Sequence, residues 1–177
     1  MDRKLRTHEM KRKSLDEFRK AQKSGLTLIL DNVRSAHNVG SLFRTADAFL
    51  ASSIHLCGYT PRPPHSDLEK TALGATSSIH WASHDSAAKC IDQLKPEHCV
   101  VGLEITENAI PLDKFSWPGK PIALVLGNEV SGISSEVLAK CDICVEIPQL
   151  GTKHSLNVAI SAAIFIWQHY TIKKGGI

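Results

Sequence analysis

A chain of 177 residues has room for one domain with a sizeable core and is short for two. Its 42% hydrophobic and 22% charged residues sit in the ordinary globular range, which argues against a disordered chain. No apolar run reaches about eighteen residues, so no spanning helix is expected. The charged N-terminus has no apolar h-region, so no secretory signal is expected and the reading is cytoplasmic.

Taken in order, the chain opens on a basic extension, residues 1–25. It holds nine Lys or Arg against four acids, a net of +5, while the rest holds twelve bases and fourteen acids, a net of −2. A basic arm on a nearly neutral body suits a polyanion partner, with a solvated terminus as the bland alternative. A helical pattern spans Ser14–Lys23, and an apolar strand run follows at Leu26–Leu30. The polar loop Asp31–Gly40 (DNVRSAHNVG) leads into a helix over Val39–Leu50. There Val39, Leu42, Phe43, Ala46, Phe49 and Leu50 make one apolar stripe. At 100° per residue, Gly40, Arg44 and Asp47 share a different face, so Arg44 does not pack with the core. Asn38 is placed to cap this helix, and Gly40 suggests close approach by a ligand. A surface arginine paired with Asp47 is the alternative reading of Arg44.

Strand runs recur at Ile54–Cys57, Ile79–Ala82, Cys99–Leu103, Ile122–Leu126 and Ile143–Ile147, with Thr60–Pro64 (TPRPP) a stiff loop. Helical patterns fall at Ser86–Leu94, Ser134–Lys140 and Leu156–Tyr170. Several strands are apolar almost throughout (LTLIL, IALVL), as strands covered on both faces are. The alternation predicts one α/β domain, residues 26–172, around a mostly parallel sheet flanked by helices.

Ligands of such sheets gather outside the strands' carboxyl ends. Three polar loops follow strands there: Asp31–Gly40, Gly127–Gly132 (GNEVSG) and Pro148–Asn157 (PQLGTKHSLN). The second is neither a P-loop nor G-x-G-x-x-G. Its glycines would let backbone meet an adenosine directly, and Glu129 adds a carboxylate. Ser155 is a plausible N-cap for the last helix, with Asn157 reaching a neighbouring loop. That helix is apolar on most faces, so it belongs in the core or in a subunit interface. The five cysteines form no paired framework, and Cys141-x-x-Cys144 reads as small core residues. The nine histidines show no ligand spacing, so no metal is expected.

Together the three loops resemble the motifs of the SpoU (TrmH) family in the SPOUT superfamily of RNA methyltransferases. Asn38, Gly40, Arg44 and Ala46 match the first motif; Gly127, Glu129 and Gly132 the second; Ile147, Pro148, Ser155, Leu156, Asn157 and Val158 the third. The resemblance covers residues 26–170. It implies an α/β fold with a C-terminal trefoil knot, a homodimer with the active site at the subunit interface, and S-adenosylmethionine as cofactor. It implies methylation of a ribose 2'-hydroxyl in RNA, with Arg44 at the chemistry and Asn38, Glu129, Ser155 and Asn157 positioning it. Cofactor contacts fall at Leu103, Gly127, Ile147 and Leu156. The family often has glycine where this chain has Leu50, a departure expected to change packing more than chemistry.

RNA phosphates would be met by the arm (Arg12, Lys13), by Arg62, His65 and Lys70 around the proline loop, and by Lys153. Compact relatives mostly modify tRNA, which favours tRNA over ribosomal RNA. The competing reading is a knotted RNA-binding protein without catalysis, and a base-methylating relative is a further one.

Overall fold

The computed structural model describes residues 2–175. Seven strands form one sheet: β1 (Leu26–Asp31), β2 (Ser53–Cys57), β3 (Trp81–His84), β4 (Cys99–Leu103), β5 (Ile110–Pro111), β6 (Ile122–Leu126) and β7 (Ile143–Glu146). Their order is β3-β2-β1-β6-β4-β7-β5, and every neighbouring pair is parallel. The helices are α1 (Leu15–Lys20), α2 (Ala36–Ala48), α3 (Ser66–Ala72), α4 (Ala75–Ser78), α5 (Ala87–Leu94), α6 (Ser135–Leu138) and α7 (Val158–Gly175).

The continuous apolar runs of β1 and β6 are explained by cover on both faces, because side chains alternate along a strand. Leu26, Leu28 and Leu30 of β1, with Ile122, Leu124 and Leu126 of β6, face a core shared with α2, α3 and α7. Ile29, Ala123 and Val125 point the other way, into a core made with Ala87, Ala88, Cys90 and Ile91 of α5. Among the described residues no helix is long and apolar enough to cross a membrane.

Several expected boundaries move. Strand β3 begins at Trp81 and not at Ile79, because Ile79 closes α4 with its N–H on Ala75 O. Helices α3 and α4 and the two-residue β5 are not expected from the sequence; α3 (SDLEKTA) buries only Leu68 and Ala72, too little for a visible stripe. Helix α2 starts three residues early, with Ser35 as N-cap accepting from Asn38 N–H, so Asn38 is not the cap. Helix α7 starts at Val158; its cap is Asn157, whose Oδ1 accepts from the N–H groups of Ala159 and Ile160, and not Ser155. Asparagine wins there because its amide oxygen reaches two otherwise orphaned donors of the first turn.

Gly40 is tight for a different reason than ligand approach. A Cβ there would stand 2.1 Å from Thr71 Oγ1 and 2.2 Å from Leu68 O, so the glycine lets α2 and α3 pack at backbone distance. Leu50 has φ 53 and fills the left-handed C′ position after α2. Ala51 N–H returns to Ala46 O and Leu50 N–H to Asp47 O, a Schellman ending in which glycine is the usual residue.

Candidate active site

A cleft of about 360 Å³ opens at the carboxyl ends of β4, β6 and β7, the end at which parallel sheets hold ligands. Leu103, Leu126, Val145, Ile147 and Leu156 supply its apolar lining, and Glu104, Glu129 and Glu146 place carboxylates along it. The four expected cofactor contacts, Leu103, Gly127, Ile147 and Leu156, all line this cleft, as do Glu129, Ser155 and Asn157.

The three polar loops are tied to one another by side chains. Glu129 accepts from Arg34 N–H at 2.8 Å, Ser35 N–H at 3.0 Å and Asn38 Nδ2 at 2.8 Å. Asn38 Oδ1 in turn accepts from Asn157 Nδ2 at 3.0 Å. One chain of hydrogen bonds therefore joins all three motifs, and it fixes the amide of Asn38 with oxygen toward Asn157 and nitrogen toward Glu129. Partial burial pushes the Glu129 carboxyl up, but the donors of Arg34, Asn38 and Ser35 outweigh it and hold the group below the usual carboxylate range.

Residues that the motifs did not single out hold the second loop in shape. Asn128 donates to Asn32 O and to Tyr59 Oη, both at 2.9 Å, and its Oδ1 accepts from Val130 and Ser131 N–H. Glu104 Oε2 accepts Ile133 N–H at 2.9 Å, and the buried Asp31 accepts both N–H and Oγ–H of Ser134. The signal for Asp31 was present: a carboxylate ending the run LTLIL needs a partner if it is buried. Gly127 is required because a Cβ would stand 2.2 Å from the backbone of Gly132 and Ile133.

Arg44 is elsewhere. It is exposed and lines a second cleft of about 540 Å³, shared with Lys11, Arg12, Lys13, Asp47 and Ser78. Asp47 takes the Ser78 hydroxyl, and none of the ion pairs among the described residues includes Arg44. The Asp47 pairing is thereby set aside. Of the other basic candidates, Arg62 donates to Ser83 Oγ at 3.3 Å, Lys70 pairs with Asp67 at 2.7 Å, and Lys153 is exposed on the third loop. These three line neither cleft. Cys141 and Cys144 pack their sulfurs beside Gly102, where a Cβ would stand 3.1 and 3.5 Å from them.

A parallel α/β sheet with three cross-linked loops around a carboxyl-end cleft defines the class: an α/β domain built to hold a small ligand at that edge. A model of the SpoU rRNA Methylase family matches residues 25–167, and the chain belongs to that family. A TrmH family tRNA/rRNA methyltransferase of Staphylococcus haemolyticus is 32% identical over 160 residues, 88% of this chain and 64% of that protein. A tRNA (guanosine(18)-2'-O)-methyltransferase of Thermus thermophilus is 29% identical over 170 residues, 94% of this chain and 86% of the other. Among solved structures, an AdoMet-bound rRNA methyltransferase from Sinorhizobium meliloti superposes with a TM-score of 0.78 at 28% identity, covering 88% of this chain and 60% of that one. The chain thus spans under two thirds of the length of some of its relatives.

Proposed function

We propose that this protein transfers a methyl group from S-adenosylmethionine to a ribose 2'-hydroxyl of RNA, tRNA before ribosomal RNA. The observation that carries the reading is the hydrogen-bonded line Asn157–Asn38–Glu129, which joins the three motif loops beside the 360 Å³ cleft. The cleft fits the cofactor. Its volume lies in the range of small-molecule sites, its apolar strand ends suit an adenine, and its carboxylates suit a ligand with a sulfonium and an ammonium. Support for the ribose oxygen as acceptor comes from relatives named as 2'-O-methyltransferases, one of tRNA guanosine 18 and one of 23S rRNA guanosine.

When bound, S-adenosylmethionine supplies a methyl group on a sulfonium centre. The chain's own task is to align the ribose oxygen in line with that methyl and to raise its nucleophilicity. Leu103, Gly127, Ile147 and Leu156 hold the cofactor, and Asn38, Glu129, Ser155 and Asn157 fix the loops around it. Arg44 serves as the cation, with its charge spread over a planar guanidinium that presents several donors. In that role it holds an RNA phosphate and stabilises the developing alkoxide as the 2'-hydroxyl proton passes to water, without itself acting as a base.

The site is completed by a second copy of the chain. Arg44 does not line its own chain's cofactor cleft, and Ile160, Ile164 and Trp167 form an exposed apolar row at i, i+4 and i+7 of α7. A row of that kind suits a subunit interface that brings one chain's Arg44 to the other's cofactor. The residues 1–25 form a basic extension to the methyltransferase domain, residues 26–172, whose C-terminal part carries the family's trefoil knot. Arg12 and Lys13 beside Arg44, with Arg62, Lys70 and Lys153 further out, contact phosphate. The reaction takes place in the cytoplasm and uses no metal.

The deciding experiment incubates the protein with methyl-labelled S-adenosylmethionine and total RNA, then digests to nucleosides. Label on ribose supports the proposal. Label on a base, or no transfer by a protein that binds the cofactor, overturns it.

A further inference from the structure

Two of the histidines that are scattered in sequence meet in the fold. Strands β2 and β3 are parallel neighbours in a register that sets Cys57 opposite His84 and His55 opposite Ala82. Residues two apart on a strand share a face, as do register partners, so His55, Cys57 and His84 all point toward α5. Helix α5 answers with the fully buried Cys90. His55 Nδ1 lies 2.7 Å from His84 Nε2, and the ligand atoms of His55, His84 and Cys90 all lie within 4.8 Å of one another. The Cys57 thiol donates to His55 O at 3.9 Å.

We propose that His55, His84 and Cys90 bind a zinc-class transition-metal ion. Two imidazoles and a thiolate are a ligand set of zinc sites and exclude the hard oxygen-seeking cations magnesium and calcium. Tetrahedral zinc at about 2.0 Å from nitrogen and 2.3 Å from sulfur needs ligand atoms about 3.3 to 3.7 Å apart. The imidazole pair therefore opens by about 0.6 Å, and the sulfur closes by at most about 1.3 Å. The outer shell that orients a metal-bound histidine is already built. His55 Nε2 lies 3.2 Å from Ser53 Oγ, itself 3.2 Å from Thr27 Oγ1. A proton held on Nε2 by Ser53 leaves the Nδ1 lone pair facing His84 and Cys90.

Such an ion would clamp the edge strand β3 and helix α5 to β2, at the end of β2 from which Tyr59 and the proline loop depart. It lies away from the residues of both clefts, so its role is structural and independent of the methyltransferase reading. It also departs from the sequence expectation of no metal, because the ligands come from two strands and a helix and share no local spacing.

The test uses the full chain stripped with a chelator and titrated with Co²⁺ as the probe. The expected result is one tight Co²⁺ per chain, with thiolate-to-metal absorption in the near ultraviolet and tetrahedral bands in the visible, both displaced by Zn²⁺. His84→Ala and Cys90→Ser should each weaken binding by well over ten-fold, and Ser53→Ala by about ten-fold. Cys141→Ser with Cys144→Ser should leave it unchanged. X-ray absorption of the zinc-loaded wild type should give mixed nitrogen and sulfur ligands, a readout that stands even where a variant misfolds. Absence of the thiolate band in the folded wild type, or its survival in His84→Ala with loss in the Cys141/Cys144 variant, would overturn the proposal.

Discussion

The two clefts of this molecule are built on opposite plans, and helix α2 connects them. At its first turn, Asn38 is locked between Glu129 and Asn157, and the surrounding loops are cross-linked through Asn128, Glu104 and Asp31. About two turns on, roughly 9 Å along the axis, Arg44 stands exposed among Lys11, Arg12 and Lys13. The first cleft is preorganised and the second is a cationic surface awaiting charge from outside. Preorganisation suits a small cofactor whose binding leaves little freedom to lose, whereas an exposed cation row suits a phosphate backbone that brings its own order. The difference gives each cleft a separate failure mode.

The largest expected effect lies on the cationic side. Arg44→Ala should lower methyl transfer by about 10²- to 10³-fold, the loss typical of one missing oxyanion stabiliser, while cofactor affinity measured by calorimetry changes less than about two-fold. Near-normal turnover would remove Arg44 from the chemistry. Next comes the hinge between the clefts. Gly40→Ala forces a Cβ into Leu68 O and Thr71 Oγ1, so chemical denaturation should show about 2–3 kcal/mol of lost stability. Cofactor and RNA affinity should fall together in that variant, as they do in neither single-cleft variant.

On the preorganised side, Glu129→Ala strands the N–H groups of Arg34 and Ser35 and the Asn38 amide. A cost of about 1–2 kcal/mol is expected, read as a roughly ten-fold weaker cofactor Kd with RNA affinity kept. The pH dependence has a definite sign. Glu129 has a folded-state pKa below its unfolded value, so its contribution is complete above about pH 4.3 and is lost as pH falls through the lowered folded value. Cofactor affinity should therefore be insensitive to Glu129 titration near neutrality and decline only in acid. The smallest effect is expected from Arg12→Ala with Lys13→Ala. RNA affinity should drop several-fold at low salt, and the slope of log K against log salt should shrink by between one and two, with cofactor binding unaltered.

The sequence by itself determined the long apolar strands and the motifs. LTLIL and IALVL are apolar at every position because both faces are covered, a local pattern that survives into β1 and β6. Asn38, Gly40, Arg44, Glu129 and Asn157 were legible because each motif is contiguous in the chain. What the tertiary structure decided were the partners. Ser35 caps α2 because Asn38 is claimed by Glu129 from 91 residues away, a competition that no local capping rule contains. Gly40 serves the contact with α3, a helix whose two buried residues left no periodic signal. Tertiary structure likewise separated Arg44 from the cleft lined by Gly127 and Leu156 and brought the ligand atoms of His55, His84 and Cys90 within 4.8 Å of one another. Hydrophobic periodicity reports a residue's side of its own element; only the packing of distant elements decides what waits there.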